Sequence, residues 1–255
     1  MVLEALCFGY EVDMLRGRMA TLGEHVDTLV VVESDKTHTG RPKGYLLPEV
    51  LPTLPHADRI DYHQITGLDT GNAWTNERFH RNALGTALAG LQPADDDLVL
   101  ICDVDEWWEP EHLPLLGPDL TVMDMRKHHF SVRWFDKMEL AGMAASWDEW
   151  QRWDIYSTKI AVCEARGGRA APGRVVTTGW HFSSIGNEAD VMRKVGSFSH
   201  AEFDTLPMRA AIQDCYRTGH DLQGHYFTEQ PLDGLPAWIA DGHAPASWYR
   251  TRSAG

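Results

Sequence analysis

The chain has 255 residues, 43% hydrophobic and 24% charged, the composition of one large α/β domain or of one domain with an appendage. Its 37 acidic residues against 23 basic ones give a formal net charge of −14, which weighs against a broad non-specific nucleic-acid footprint. Cys7, Cys102, Cys163 and Cys215 are widely spaced, so neither a zinc site nor a disulfide framework is indicated.

No run approaches the ~18 apolar residues of a membrane span. Residues 1–18 lack the basic start and long apolar stretch of a signal peptide, so the expected location is the cytoplasm. Residues 3–8 are a short apolar run that reads as a strand. Val12, Leu15, Met19 and Leu22 recur at helical spacing, and Gly23 closes that helix. The β-branched run 28–32 marks a strand buried on both faces. It ends in Glu33-Ser34-Asp35, and open α/β sheets place ligands at such polar C-terminal strand ends.

After a Gly- and Pro-containing loop at 39–43, Leu46, Leu47, Val50, Leu51 and Leu54 suggest a short helix broken by Pro52 and Pro55. Phe79, Ala83, Ala87, Leu88 and Leu91 mark a longer helix from 76 to 91. Residues 98–102 are the clearest buried strand, and they run directly into Asp103-Val104-Asp105-Glu106. This order predicts an α/β fold with a mostly parallel central sheet flanked by helices. Residues 121–125, 130–135 and 180–184 read as further strands. Met208, Ala211, Ile212, Cys215 and Tyr216 share one helix face, capped near Asp204 or Thr205. The expectation is a main domain over 1–203, with 204–255 a helix and an irregular Gly-, Pro-, Trp- and Tyr-rich tail packed on it.

An apolar strand that delivers Asp-x-Asp to its C-terminal end has a specific chemical use. On extended backbone Asp103 and Asp105 point the same way. Two such carboxylates can share a hard divalent cation completed by phosphate oxygens and water. That cation offsets charge on a departing diphosphate. An acidic surface turn would also explain Asp-x-Asp alone, but Trp107-Trp108 directly after it is an odd choice for one.

Several stretches, in order, resemble glycosyltransferase family 17. They are Glu11-Val12-Asp13-Met14-Leu15 with Arg18, Leu22-Gly23 with Val26-Asp27, and Val30 to Ser34 with Gly40, Pro42 and Lys43. Residues 97–106, Met125-Arg126-Lys127, Gly179-Trp180-His181 with Ser183, and Lys194 with Ser197-Phe198-Ser199-His200 complete the series. The resemblance covers residues 5–203. It implies a GT-A-like nucleotide-binding fold and an inverting reaction in which an acceptor hydroxyl displaces the nucleotide at the anomeric carbon. It also implies a UDP-sugar donor, UDP-N-acetylglucosamine or a relative, with Mn2+ or Mg2+.

On that basis Asp105 is expected to ligate the metal and Asp103 to reach it through water or to contact the donor ribose. His181 is the expected third ligand, the alternative being a half-buried histidine bonded to backbone. Glu33 and Ser34 at the second strand's end, and Arg81 and Asn82 on the helix before the Asp-x-Asp strand, are expected at the nucleotide. Lys43, Arg126, Lys127 and Lys194 are candidate diphosphate partners, of which one or two need act.

The general base is sought in Glu106, which could instead brace the loop, or in Asp148, Glu149 or Asp154. The latter three lie among Trp147, Trp150 and Trp153, where an acceptor sugar could stack, although a stripe at that spacing equally suits packing. Residues 136–175 depart most from the family pattern, so the acceptor stays open: a glycan, a lipid-linked sugar, a small molecule or a modified nucleobase. The rival readings are a glycoside hydrolase, a two-metal phosphoesterase, and a carbohydrate-binding protein suggested by ten tryptophans. Metal dependence and UDP binding separate them.

Overall fold

Strand and helix alternate through the first hundred residues as the apolar periodicity requires. The order is β1 (Val2–Phe8), α1 (Val12–Leu22), β2 (Thr28–Ser34), the one-turn α2 (Leu47–Val50), β3 (Ile60–Ile65), α3 (Ala73–Gly90) and β4 (Leu98–Ile101). The computed structural model describes residues 1–252. These four strands lie parallel in the order β3-β2-β1-β4.

The second half adds β5 (Glu106–Trp107), β6 (Thr121–His129), β7 (Trp134–Ser146), α4 (Trp147–Trp150), α5 (Ile155–Ala165) and β8 (Arg174–Ser183). Helices α6 (Glu188–Val195) and α7 (Leu206–Thr218), strand β9 (Thr228–Glu229) and helix α8 (Ala237–Ala240) follow. The sheet continues β4-β7-β6-β8-β5, with β7 antiparallel to both neighbours and β8 parallel to β6. The mostly parallel, helix-flanked α/β sheet predicted from the sequence is the one observed.

Alternation along each strand sorts its side chains between two cores. Leu3 and Ala5 of β1 join Val30, Val32, Val99 and Ile101 under α3 and α5. Leu6 and Phe8 join Leu29, Val31 and Leu100 against Met14, Leu15, Met19 and Leu22 of α1. Glu4 has the same parity as Leu6 and Phe8, and it meets Arg18 of α1 on that face. The tail belongs to this second core: Ile239, Ala244 and Trp248 are buried in it with Trp107 and Trp108, and the half-buried Trp238 packs against it. Among the described residues no helix is long and apolar enough to cross a membrane.

The chain leaves β1 toward β2 and β3, then returns on the other side of β1 as β4. The connections after β1 and β4 therefore diverge, and an open α/β sheet forms its ligand crevice at such a switch point. One expected strand, over 130–135, forms only at its last two residues, Trp134 and Phe135. Residues 130–133 turn instead, because Phe130 takes a left-handed conformation with φ 63°. The Ser131 hydroxyl there donates to the carbonyls of Trp248 and Arg250. Phe130 and Val132 are buried, but as turn anchors, and β7 begins at Trp134.

Candidate functional site at the switch point

Beyond Ile101 the chain does not stay extended. Glu106 N donates to Asp103 O at 2.9 Å, closing a turn, and Asp103 N donates to the Glu106 carboxylate at 2.8 Å. Asp103 and Asp105 consequently point apart, which corrects the expectation that they face the same way. Asp103 meets Arg81 of α3 at 2.7 and 3.2 Å and Lys159 of α5 at 3.3 Å. Asp105 meets Lys194 of α6 at 2.7 Å, and its Oδ2 lies 3.9 Å from His181 Nε2 of β8.

The turn is held from beneath by a buried ion pair. Arg18 is fully buried and pairs with Glu4. Its Nη1 donates to the carbonyls of Glu106 at 2.5 Å and of Asp103 and Val104 at 3.4 Å. Glu4 also accepts from Trp108 Nε1 at 2.8 Å, and Trp107 Nε1 donates to Val104 O at 3.0 Å. From the side, Glu106 and Trp107 pair with His181 and Trp180, and Phe182 N donates to Asp105 O at 2.7 Å. That approach needs Gly179, at φ 74°, because a Cβ there would stand 2.1 Å from Trp107 O.

Charge sets the protonation states. Burial alone would raise the Asp103 pKa, but Arg81 and Lys159 outweigh it and hold the carboxyl well below its usual range. Burial also opposes ionisation of Asp105, and Lys194 and His181 overcome it. Lys194 is raised in turn, Asp105 outweighing its desolvation. Both aspartates are anions at neutral pH.

A cavity of about 190 Å³ opens at this point, lined by Tyr10, Glu11, Asp105, Ser184, Arg193 and Lys194 among others. It joins the ends of β1 and β8 to α6 and to the turn after β4.

The donor set at Asp105, carboxylate oxygen and imidazole nitrogen, suits a divalent cation such as Mn2+, which would compete with Lys194, whose Nζ holds Asp105 Oδ2 at 2.7 Å. The 3.9 Å between Asp105 Oδ2 and His181 Nε2 is too long for a hydrogen bond. It is short enough for one ion with bonds of about 2.1 Å to touch both atoms. His181 Nδ1 faces Glu139 Oε1 at 3.5 Å, on the far side of the ring from Asp105. No group of three or more His, Cys, Asp or Glu side chains is arranged to hold a metal among the described residues. A cation here would therefore draw its remaining ligands from phosphate and water, and Asp103, committed to Arg81, would stay outside its direct contacts.

Several expected site residues lie elsewhere or are already engaged. Glu106 is 1% exposed and takes both carboxylate bonds from Lys159, at 2.6 and 2.8 Å, so it braces the turn and is not free as a base. Asp148 and Glu149 follow Ser146, which pairs with Leu98 at the start of β4, the end opposite the Asp-x-Asp turn. They pair with Arg152 there, Trp150 packs inward with Nε1 on Val99 O, and Asp154 caps α5. Of the tryptophan stripe, Trp150 is buried packing, Trp147 packs part-buried beside it, and Trp153 is exposed with Nε1 on Glu149.

Glu33, expected at the ribose, has its carboxylate engaged within the protein. It is buried and accepts from Lys43 Nζ at 2.6 Å, Tyr62 OH at 2.7 Å and the Leu46 and Leu47 amides, so neither it nor Lys43 is free for a donor. Ser34 accepts from Lys36 N at 3.2 Å in its own turn. Asn82 bonds Asp154 and Tyr156 N, tying α3 to α5, and Arg81 holds Asp103. Arg126 lies over Trp180 and bonds Glu109, while Lys127 bonds Glu139 at 2.8 Å, one bond removed from His181. Of the four basic candidates, Lys194 reaches the cavity.

Sequence reasoning missed Glu4 as the partner of Arg18, Lys159, Glu139 and Arg193. The available signal was a charge inside an apolar run: Glu4 within β1, and Lys159 on the buried face of α5.

The profile of glycosyltransferase family 17 matches residues 1–229. No curated protein sequence matches the chain significantly. Among solved structures, the inositol-1-phosphate CTP transferase from T. maritima is similar at 12% identity and a TM-score of 0.38, over 77% of this chain and 96% of that one. The galactosyltransferase LgtC, in complex with donor and acceptor sugar analogs, is similar at 14% identity and a TM-score of 0.33, over 97% of this chain and 92% of that one.

Proposed function

We propose, on the footing that the chain belongs to glycosyltransferase family 17, that it transfers a sugar from a nucleotide-sugar donor to an acceptor hydroxyl with inversion, using Asp105 as the centre of a diphosphate site. The observation that carries this reading is the position of Asp105. It stands at the end of β4, at the sheet's switch point, facing a cavity with Lys194 and Arg193 on its wall. The donor we infer is a UDP-sugar, UDP-N-acetylglucosamine or a relative, as the sequence resemblance implies.

Asp105 and His181 are the residues that would hold Mn2+ or Mg2+, and that ion would neutralise charge on the departing diphosphate. Lys194 and Arg193 supply fixed positive charge at the same wall. Asp103 acts at one remove: with Arg81 and Lys159 it fixes the turn that aims Asp105. Leaving-group departure is favoured because these charges are set before the donor arrives and need no reorganisation during reaction.

A hydrolase would need one carboxyl kept protonated across the sugar from another carboxylate. Asp103 and Asp105 are both held ionised and point apart, so this geometry favours transfer.

The test is a thermal-shift series with UDP and UDP-sugars, each with Mn2+ and with chelator, followed by turnover of Asp105→Asn. A rise in melting temperature with one UDP-sugar, lost on chelation, is expected by mass action. Asp105→Asn should lose both that shift and transfer while keeping its far-UV circular dichroism. Near wild-type turnover by this variant overturns the assignment.

A further inference from the structure

With Glu106, Asp148, Glu149 and Asp154 otherwise engaged, an inverting transferase still needs a carboxylate to accept the acceptor's proton. Besides Asp105, the cavity is lined by Glu11, Asp13 and Asp190. Asp190 is occupied: it forms the capping box of α6 with Asn187 and meets Arg193 at 3.0 Å. Asp13 lies exposed in the first turn of α1.

Glu11 stands apart from both. It immediately precedes α1, at the end of the β1 connection. Its Oε2 accepts from Tyr10 N at 2.8 Å, which folds the side chain back over the loop. Gly9 leaves room for this, since a Cβ there would stand 3.0 Å from Glu11 Oε2. Oε1 has no hydrogen-bond partner among the described residues. The carboxylate lines the same cavity as Asp105 and Lys194. Glu11 is thus oriented, carries one unengaged oxygen, and sits beside the charges that hold the leaving group.

We propose that Glu11 is the general base of the transfer, a reading that rests on the transferase assignment above. The acceptor O–H gives its proton to Glu11 Oε1 as the acceptor oxygen forms its bond to the anomeric carbon. The bond from that carbon to the diphosphate oxygen breaks, and its electron pair leaves on UDP. The protonated Glu11 then returns its proton to water.

Glu11→Gln keeps the size of the side chain and its bond to Tyr10 N. It should lower kcat roughly 100- to 10,000-fold and remove the acidic limb of the kcat pH profile, while the thermal shift given by UDP with Mn2+ stays at its wild-type value. Two results overturn the proposal: near wild-type kcat in Glu11→Gln, or loss of the UDP shift in that variant. The second would make Glu11 a donor-binding residue. Absence of any nucleotide shift in the unaltered protein brings down the transferase reading itself, and the base with it.

Discussion

Replacing Arg18 with Met tests whether the Asp105 turn is held from beneath. The thioether fills most of the aliphatic stem's volume, so the packing loss is small. What disappears is the guanidinium, which is 0% exposed, pairs with Glu4 and donates to three turn carbonyls. Glu4, 1% exposed, is left with only Trp108 Nε1 as a donor. Stranding one member of a buried pair costs about 3–5 kcal/mol, a large part of the 5–15 kcal/mol typical of a domain. Urea unfolding should show that loss as a lower midpoint at constant slope.

Adding Glu4→Gln removes the stranded charge while an amide oxygen still accepts from Trp108. The double variant should therefore be more stable than the two single losses summed, with a coupling of about 0.5–3 kcal/mol. Donor affinity should fall in Arg18→Met, because the turn that aims Asp105 loses its anchors. A single-variant cost below about 1 kcal/mol, strict additivity, or full donor affinity in a destabilised Arg18→Met would each refute the argument.

Gly179→Ala should destabilise by more than the roughly 1–2 kcal/mol of a left-handed residue, because its Cβ also meets Trp107 O at 2.1 Å; a melting temperature within error of wild type would contradict the β5–β8 packing. Burial pushes His38 down to about 4 and His80 down to about 3, and lowers His128 and His129 as well. These histidines stay neutral in the folded chain while the unfolded chain takes up protons below about 6.5, so stability is full above that pH and falls as pH drops from 6.5 toward 4. His80→Gln should flatten the slope of unfolding free energy against pH between 6 and 5 by up to about 1.4 kcal/mol per unit, and an unchanged slope would refute the buried-neutral assignment.

How much of this was legible depended on burial. β1, β2 and β4 are buried on both faces, so their runs of Leu and Val announce them. β3 is an edge strand reading Ile60-Asp61-Tyr62-His63-Gln64-Ile65, half-exposed along most of its length, and its polar side chains conceal it. Helix α5 was hidden for the opposite reason: its buried face includes Thr158 and Lys159, whose charge is neutralised by residues more than fifty positions earlier.

The location of Asp-x-Asp at the end of β4 could be read from local pattern. Its shape could not, since the turn depends on Arg18, Glu106 and β8, which meet it only in the folded chain. The same limit affected the base. Glu106 was attractive by proximity in sequence, yet proximity to Lys159 in space is what decides its role.

The match to the family profile ends at residue 229, but the interior does not. Trp238 lies 6.4 Å from Trp107, ring centre to ring centre, and fills the space that Gly17 leaves open. Trp248 forms part of the cavity wall, and its carbonyl receives Val132 N. An expression fragment trimmed to the profile would bare the apolar faces of α1 and Trp107 to water, and those faces support the Asp105 turn. The interior of this protein thus reaches beyond its recognisable signature, and fragment design, tag placement and library boundaries should extend through residue 250.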